Sequence, residues 1–152
     1  MTRYLEDFEV GQHIPLSPYL VSESEIVEFA RQFDPQTFHI DPEHTTTQSL
    51  GGLMASGWHT AAIFMRMIVD AYLADSAVLT SPGVDELRWL SPVRPDDILS
   101  GDVTVEEVRV SQSKPDRGLL ITRVRLHNQT AEPVFSVKAT AFVLRRPPTE
   151  SR

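Results

Sequence analysis

The chain has 152 residues, enough for one domain that buries a sizeable core without staples. Its 14 basic and 21 acidic side chains give a formal charge of −7, and no segment gathers Lys or Arg, which argues against a nucleic-acid or anionic-membrane surface. There is no cysteine, so disulfides, thiolate metal sites and a cysteine nucleophile are excluded.

The first residues, Met1-Thr2-Arg3-Tyr4-Leu5-Glu6-Asp7, lack the apolar core of a signal peptide, and the longest apolar stretch is broken by Arg66 and Asp70. A cytoplasmic protein is the expectation. Around Gly11, Pro15 and Pro18, residues 12–21 pass as a short edge strand. Ser22, followed three residues later by Glu25, forms a capping box ahead of Ile26, Phe29, Ala30 and Phe33 at i, i+3, i+4 and i+7. This predicts a short amphipathic helix that ends at Pro35 and leaves Asp34 at its frayed end with extended backbone.

Residues 35–57 are irregular, with Pro42, Gly51, Gly52 and the run Thr45-Thr46-Thr47. Loops of that length are usually functional or carry short helical turns. Residues 58–74 contain neither Gly nor Pro and are apolar nearly all round, the pattern of a helix enclosed by the fold and about 25 Å long. Arg66 and Asp70, four apart, pair on its one polar side.

After Ser81-Pro82-Gly83 the pattern turns from helical to alternating. Residues 84–91, 98–110, 118–128 and 134–145 read as strands that favour an antiparallel meander. Val103 and Val105 share one parity and Val108 and Val110 the other, which predicts a β-bulge at Glu106-Glu107. Phe135, Val137, Ala139, Ala141 and Val143 form one apolar face that should cover the helix. No internal repeat or low-complexity segment is present. The expected class is α+β, a curved antiparallel β-sheet wrapped around a long central α-helix, as a single domain over residues 1–146 with a frayed tail over 147–152. Exposed sheet edges favour a homodimer joined edge to edge.

Asp34 and His39 lie five residues apart in the turn-rich segment, and Gly57 opens the apolar helix. An acid/base pair and an anion-binding helix end therefore fall on one short piece of chain. By residue type alone, Asp34 equally fits a helix-end carboxylate and His39 a loop histidine packed beside Phe38.

The runs Phe29-Ala30-Arg31-Gln32-Phe33-Asp34-Pro35-Gln36-Thr37-Phe38-His39-Ile40-Asp41, Gly51-Gly52-Leu53-Met54-Ala55-Ser56-Gly57-Trp58-His59-Thr60 and Pro92-Val93-Arg94-Pro95-Asp96-Asp97 resemble the MaoC-like dehydratases. That family includes the (R)-specific enoyl-CoA hydratases, and the similarity covers nearly the whole chain. The resemblance implies a hotdog fold, a dimer, and the addition or removal of water at acyl thioesters. It puts Asp34 and His39 on the two catalytic positions of a motif of the form Asp-x-Asn-Pro-aliphatic-His. Gln36 stands where the motif has Asn, Thr37 where it has Pro, and Phe38 where it has an aliphatic residue. Gln36 keeps an amide and Phe38 keeps bulk, whereas Thr37 lacks the fixed φ of proline.

Hydrating an enoyl thioester requires a base for water, an acid for the α-carbon and a donor for the thioester oxygen. Asp34 and His39 supply a coupled acid/base pair around one water, with neither assigned as first base because paired groups share their pKa values. The Gly57 amide is the expected oxyanion donor, since a first-turn N–H has no acceptor in the helix and glycine admits close approach. Ser56, Phe38, Met54 and Trp58 are the expected substrate contacts, although Ser56 also fits a plain helix cap and Met54, Trp58 and Phe64 plain core. His39, Asp41, Glu43 and His44 are not expected to bind metal, because Pro42 breaks any helix that would align them. His59 is expected to face the loop, and His13 and His127 the surface. Ser56 with His59 lacks the elbow and orienting group of a serine nucleophile. The expected substrate is an acyl-CoA thioester, with no metal or redox cofactor and coenzyme A entering only as part of the substrate. Two alternatives remain: a thioesterase on the same architecture, and a non-catalytic acyl-thioester-binding subunit, which the Thr37 departure keeps open.

Overall fold

A computed structural model describes residues 1–150. A short 3-10 turn at Leu5–Asp7 precedes β1 (His13–Leu20) and α1 (Glu23–Phe33). Two short helices, α2 (Thr37–Ile40) and α3 (Thr45–Ser49), lead to α4 (Gly57–Ile68), which runs on into a π-helical turn at Val69–Leu73. Four strands follow: β2 (Val78–Trp89), β3 (Ile98–Val110), β4 (Arg117–His127) and β5 (Pro133–Leu144). No helix among the described residues is long and apolar enough to cross a membrane.

All five strands form one antiparallel sheet in the order β1-β3-β4-β5-β2. The two-residue alternation of side chains along β4 turns Leu120, Thr122, Val124 and Leu126 inward, and each is at most 2% exposed. Phe135, Val137 and Val143 of β5 are fully buried on the same side, with Ala139 and Ala141 partly buried. Ile63, Phe64, Met67 and Ile68 of α4 press onto that face, and the Phe64 and Phe135 rings lie 5.4 Å apart. This is the expected α+β hotdog arrangement of a curved sheet around a helix. The predicted bulge is present as well: the β3–β4 register shifts between Val105 and Glu107, which resets the inward parity of β3.

Three expectations change. β2 does not hairpin onto β3 but pairs with β5 at the far edge, so only β3, β4 and β5 form a meander. The physical reason is the connection from Leu90 to Asp97: its Pro92 and Pro95 preclude a tight turn, and its backbone is spent on Val21 and Ala55 instead. β2 also begins earlier than predicted, at Val78. Ser81-Pro82-Gly83 does not precede the strand but forms an irregularity within it, tolerated because β2 is a sheet edge and Gly83 supplies φ +146°. Finally, α4 is enclosed on one side only: Trp58 is 61% and Met65 46% exposed, on the side where Arg66 and Asp70 pair at 3.0 Å.

Arg145 and Arg146 are tied to Glu6 and Asp7. Residues 147–150 are exposed and belong to no helix or strand; the last two residues of the expected tail, 151 and 152, lie outside the described residues.

Candidate active site

The site is assembled from two helix ends. Asp34 is the C-cap of α1, its N–H still bonded to the Ala30 carbonyl at 2.8 Å while Pro35 stops the helix. Ser56 is the N-cap of α4, its hydroxyl accepting from the Trp58 N–H. The two meet: Ser56 Oγ donates to Asp34 Oδ2 at 2.7 Å. Ser56 thus caps the helix and orients the carboxylate at once, and it is fully buried.

His39 arrives on α2. Thr37 occupies the first position of that helix, where a missing proline costs little because other residues adopt the same φ. Gln36 is its N-cap and donates through Nε2 to Asp34 Oδ1 at 2.8 Å, so the departing amide still secures the carboxylate. His39 is 5% exposed, and its Nδ1 sits 2.7 Å from the Met54 carbonyl oxygen. A carbonyl only accepts, so Nδ1 carries a proton, and in the neutral imidazole Nε2 turns its lone pair toward Asp34 Oδ2, 3.3 Å away.

Hydrogen bonding from Ser56, with further help from Gln36, holds the Asp34 carboxyl below the usual carboxylate range against the opposing effect of burial. Asp34 is therefore ionised near neutrality. Two acceptors then face each other, and a water on the line between them would not fit. A single water to one side can donate one O–H to each.

A cleft of about 450 Å³ opens onto this pair, lined by Asp34, Gln36, His39, Met54, Gly57, Trp58 and Trp89 among others. Larger by volume is a depression on the outer face of α1 beside Glu23, Glu28 and Arg31, but it gathers no comparable chemistry. Phe38 packs edge-on against the His39 ring at 4.6 Å and supports it from behind rather than lining the cleft. Phe64 is core, at the wall of a separate apolar cavity farther along α4.

Two features had no signal in local spacing. Trp89, on β2, covers the bare α-carbon of Gly57: a Cβ there would overlap the indole, whose Nε1 donates to the Gly57 carbonyl at 2.7 Å. The space left by this glycine is thus filled by Trp89, with Trp58 edge-on to it at 5.1 Å. His59 does not face the loop as expected; it is 3% exposed and bonded to Glu25 on α1, because the first turn of α4 packs directly on that helix. Glu25, expected to close a capping box, accepts from Ser22 nothing in return for the 3.2 Å bond its own N–H makes to Ser22 Oγ. Asp41 and His44 serve as local backbone acceptors, for Glu43 and Thr46.

Residues 7–123 match the family of the MaoC like domain. The chain belongs to that family. A MaoC-like dehydratase from Rhodospirillum rubrum is 39% identical and superposes with a TM-score of 0.86, covering 96% of this chain and 99% of that one. The unliganded (R)-hydratase PhaJ1 of Pseudomonas aeruginosa, at 21% identity and a TM-score of 0.73 over 98% of this chain and 96% of its own, shares the fold. Among curated proteins, the uncharacterized YdeM of Bacillus subtilis (strain 168) is 29% identical over 142 residues, 93% of this MaoC-like chain and 99% of that protein.

Proposed function

We propose that this MaoC-like protein is a hydro-lyase interconverting 2-enoyl and 3-hydroxyacyl thioesters of coenzyme A. The observation that carries the reading is the pair of acceptors, Asp34 Oδ2 and His39 Nε2, 3.3 Å apart at an open cleft beside the amino end of α4.

In the hydration direction, a water held by both acceptors bonds through its oxygen to C3 of the enoyl group as one of its protons passes to the pair. The C2=C3 electrons shift toward the thioester, and charge collects on its oxygen. The Gly57 N–H, unpaired within its helix and at the positive end of the α4 dipole, receives that charge. The enolate then takes a proton at C2. The proton removed from water is the one delivered to C2, and the short gap lets it pass between imidazole and carboxylate, so the cycle ends with the pair as it began. Neither a metal nor a redox cofactor enters this scheme.

We place a homodimer on the β2 edge. Leu79, Val84, Trp89 and Leu90 are each more than 40% exposed along or just beyond that strand, an apolar edge that needs cover. Trp89 and Leu90 also line the cleft, so such a dimer sets its mouth.

The test is a panel of 2-enoyl-CoA substrates followed by loss of enoyl absorbance, with thiol release assayed in parallel and product stereochemistry determined. Hydration without thiol release is expected. Thiol release without hydration would make the protein a thioesterase, and acyl-CoA binding without turnover at any chain length would make it a binding subunit.

A further inference from the structure

Tyr19, Glu25 and His59 form a polar cluster that the reaction scheme does not use. Tyr19 Oη donates to Glu25 Oε1 at 2.6 Å, and His59 Nε2 lies 3.0 Å from the same oxygen. The bond to Glu25, together with burial, pushes the Tyr19 hydroxyl up to about 12, so it stays a donor. The His59 ring stacks on Phe29 with centroids 4.8 Å and planes 12° apart. Because Nε2–H donates to Glu25, Nδ1 of the neutral ring is left as a buried acceptor with no partner among the described residues.

An imidazole with one orphaned nitrogen is a poor filler for a helix interface, where an aliphatic side chain leaves nothing unpaired. Its place in the fold supplies a reason. Asp34 at the end of α1 meets Ser56 at the start of α4, while Phe29 and Glu25, farther back on α1, meet His59 in the first turn of α4. The same two helices are therefore joined by two polar ties. One contains Asp34 of the acid/base pair and the other joins Glu25 to His59. Glu25 also reaches the end of β1 through Tyr19, so one carboxylate oxygen fixes three elements against each other.

We propose that Tyr19, Glu25 and His59 are positioning residues that set the register of α1 on α4, and with it the contact of Asp34 with Ser56 and His39. The kinetic consequence rests on the hydratase reading; the geometric one does not.

Three variants separate the possibilities. Glu25→Ala removes the shared acceptor, Glu25→Gln retains an oxygen that can accept from both donors, and Tyr19→Phe removes one tie with little loss of volume. The primary readout is the Asp34 carboxyl titration followed by carbon NMR, since Ser56 and Gln36, which face it together with His39, hold it low only while their hydrogen bonds are made. We expect a wild-type titration in Glu25→Gln, a small upward shift in Tyr19→Phe and a larger one in Glu25→Ala. On an enoyl-CoA that the wild type hydrates, Glu25→Ala should lower kcat on the order of tenfold to a hundredfold with KM little changed.

A folded Glu25→Ala protein whose Asp34 titrates as in the wild type overturns the proposal, whatever its melting temperature. So does a Glu25→Gln protein as impaired as Glu25→Ala, since charge rather than acceptor geometry would then be responsible. If Glu25→Ala fails to fold, the Tyr19→Phe titration decides by the same criterion. If the wild type hydrates no enoyl thioester, the hydratase reading falls, and the titration still decides the positioning role.

Discussion

Ser56 Oγ and Asp34 Oδ2, 22 residues apart in sequence, are joined by a 2.7 Å hydrogen bond that ties the start of one helix to the end of another. Its removal has a defined sign. Asp34 titrates below its ordinary 3.8 in the folded chain, so its contribution to stability is present above that value and is lost as pH falls through the folded pKa. Ser56→Ala should cost about 1–3 kcal/mol at neutral pH, and the gap from wild type should narrow as the solution is acidified. Denaturant midpoints across pH measure this. In the same variant the acidic limb of kcat/KM should move to higher pH.

Replacing either member of the pair tests the chemistry. Asp34→Asn and His39→Ala should each lower hydration by roughly 10²- to 10⁴-fold while circular dichroism and oligomeric state stay as in the wild type. Near-normal turnover by both would remove the pair from the mechanism.

Gly57 is constrained by Trp89. Gly57→Ala forces the indole off the α-carbon, and a destabilisation of about 1–3 kcal/mol is expected from overpacking. Pairing it with Trp89→Ala relieves the overlap, so the double variant should be more stable than the sum of the single effects predicts. Additive losses would show that the two residues do not touch in solution.

Charge on the β2 edge should keep the chain monomeric. Val84→Lys, at a site 45% exposed, places an ammonium where the proposed dimer would bury it. Sedimentation should report dimer for the wild type and monomer for the variant; dimers from both would move the interface elsewhere.

Much of this architecture was legible in the chain. The β3 bounds followed from alternation between turn signals, the bulge beside Glu106 from a change of parity, and the turn carrying Asp34 and His39 from prolines and short-range spacing. What stayed hidden was the identity of distant partners. Alternation marks residues 84–91 as a strand but not which element pairs with it, and so neither the β2–β5 pairing nor the indole over Gly57 could be read. The Glu25 carboxylate illustrates a competition: a local cap was available, and a phenol and an imidazole from elsewhere won it. The open side of α4 has the same origin, because composition counts apolar residues without saying whether this chain or another shields them.

The acceptor that fixes the His39 tautomer is main chain, the carbonyl of Met54. No side-chain replacement at that position deletes it, so a conventional scan would pass over one of the groups on which the imidazole depends. Atom-level editing of the peptide group does reach it: an ester in place of the amide between Met54 and Ala55 weakens the carbonyl as an acceptor while leaving every side chain intact. It also deletes the Ala55 N–H, which bonds the Val93 carbonyl, so an ester that instead replaces an amide remote from the histidine serves as the control.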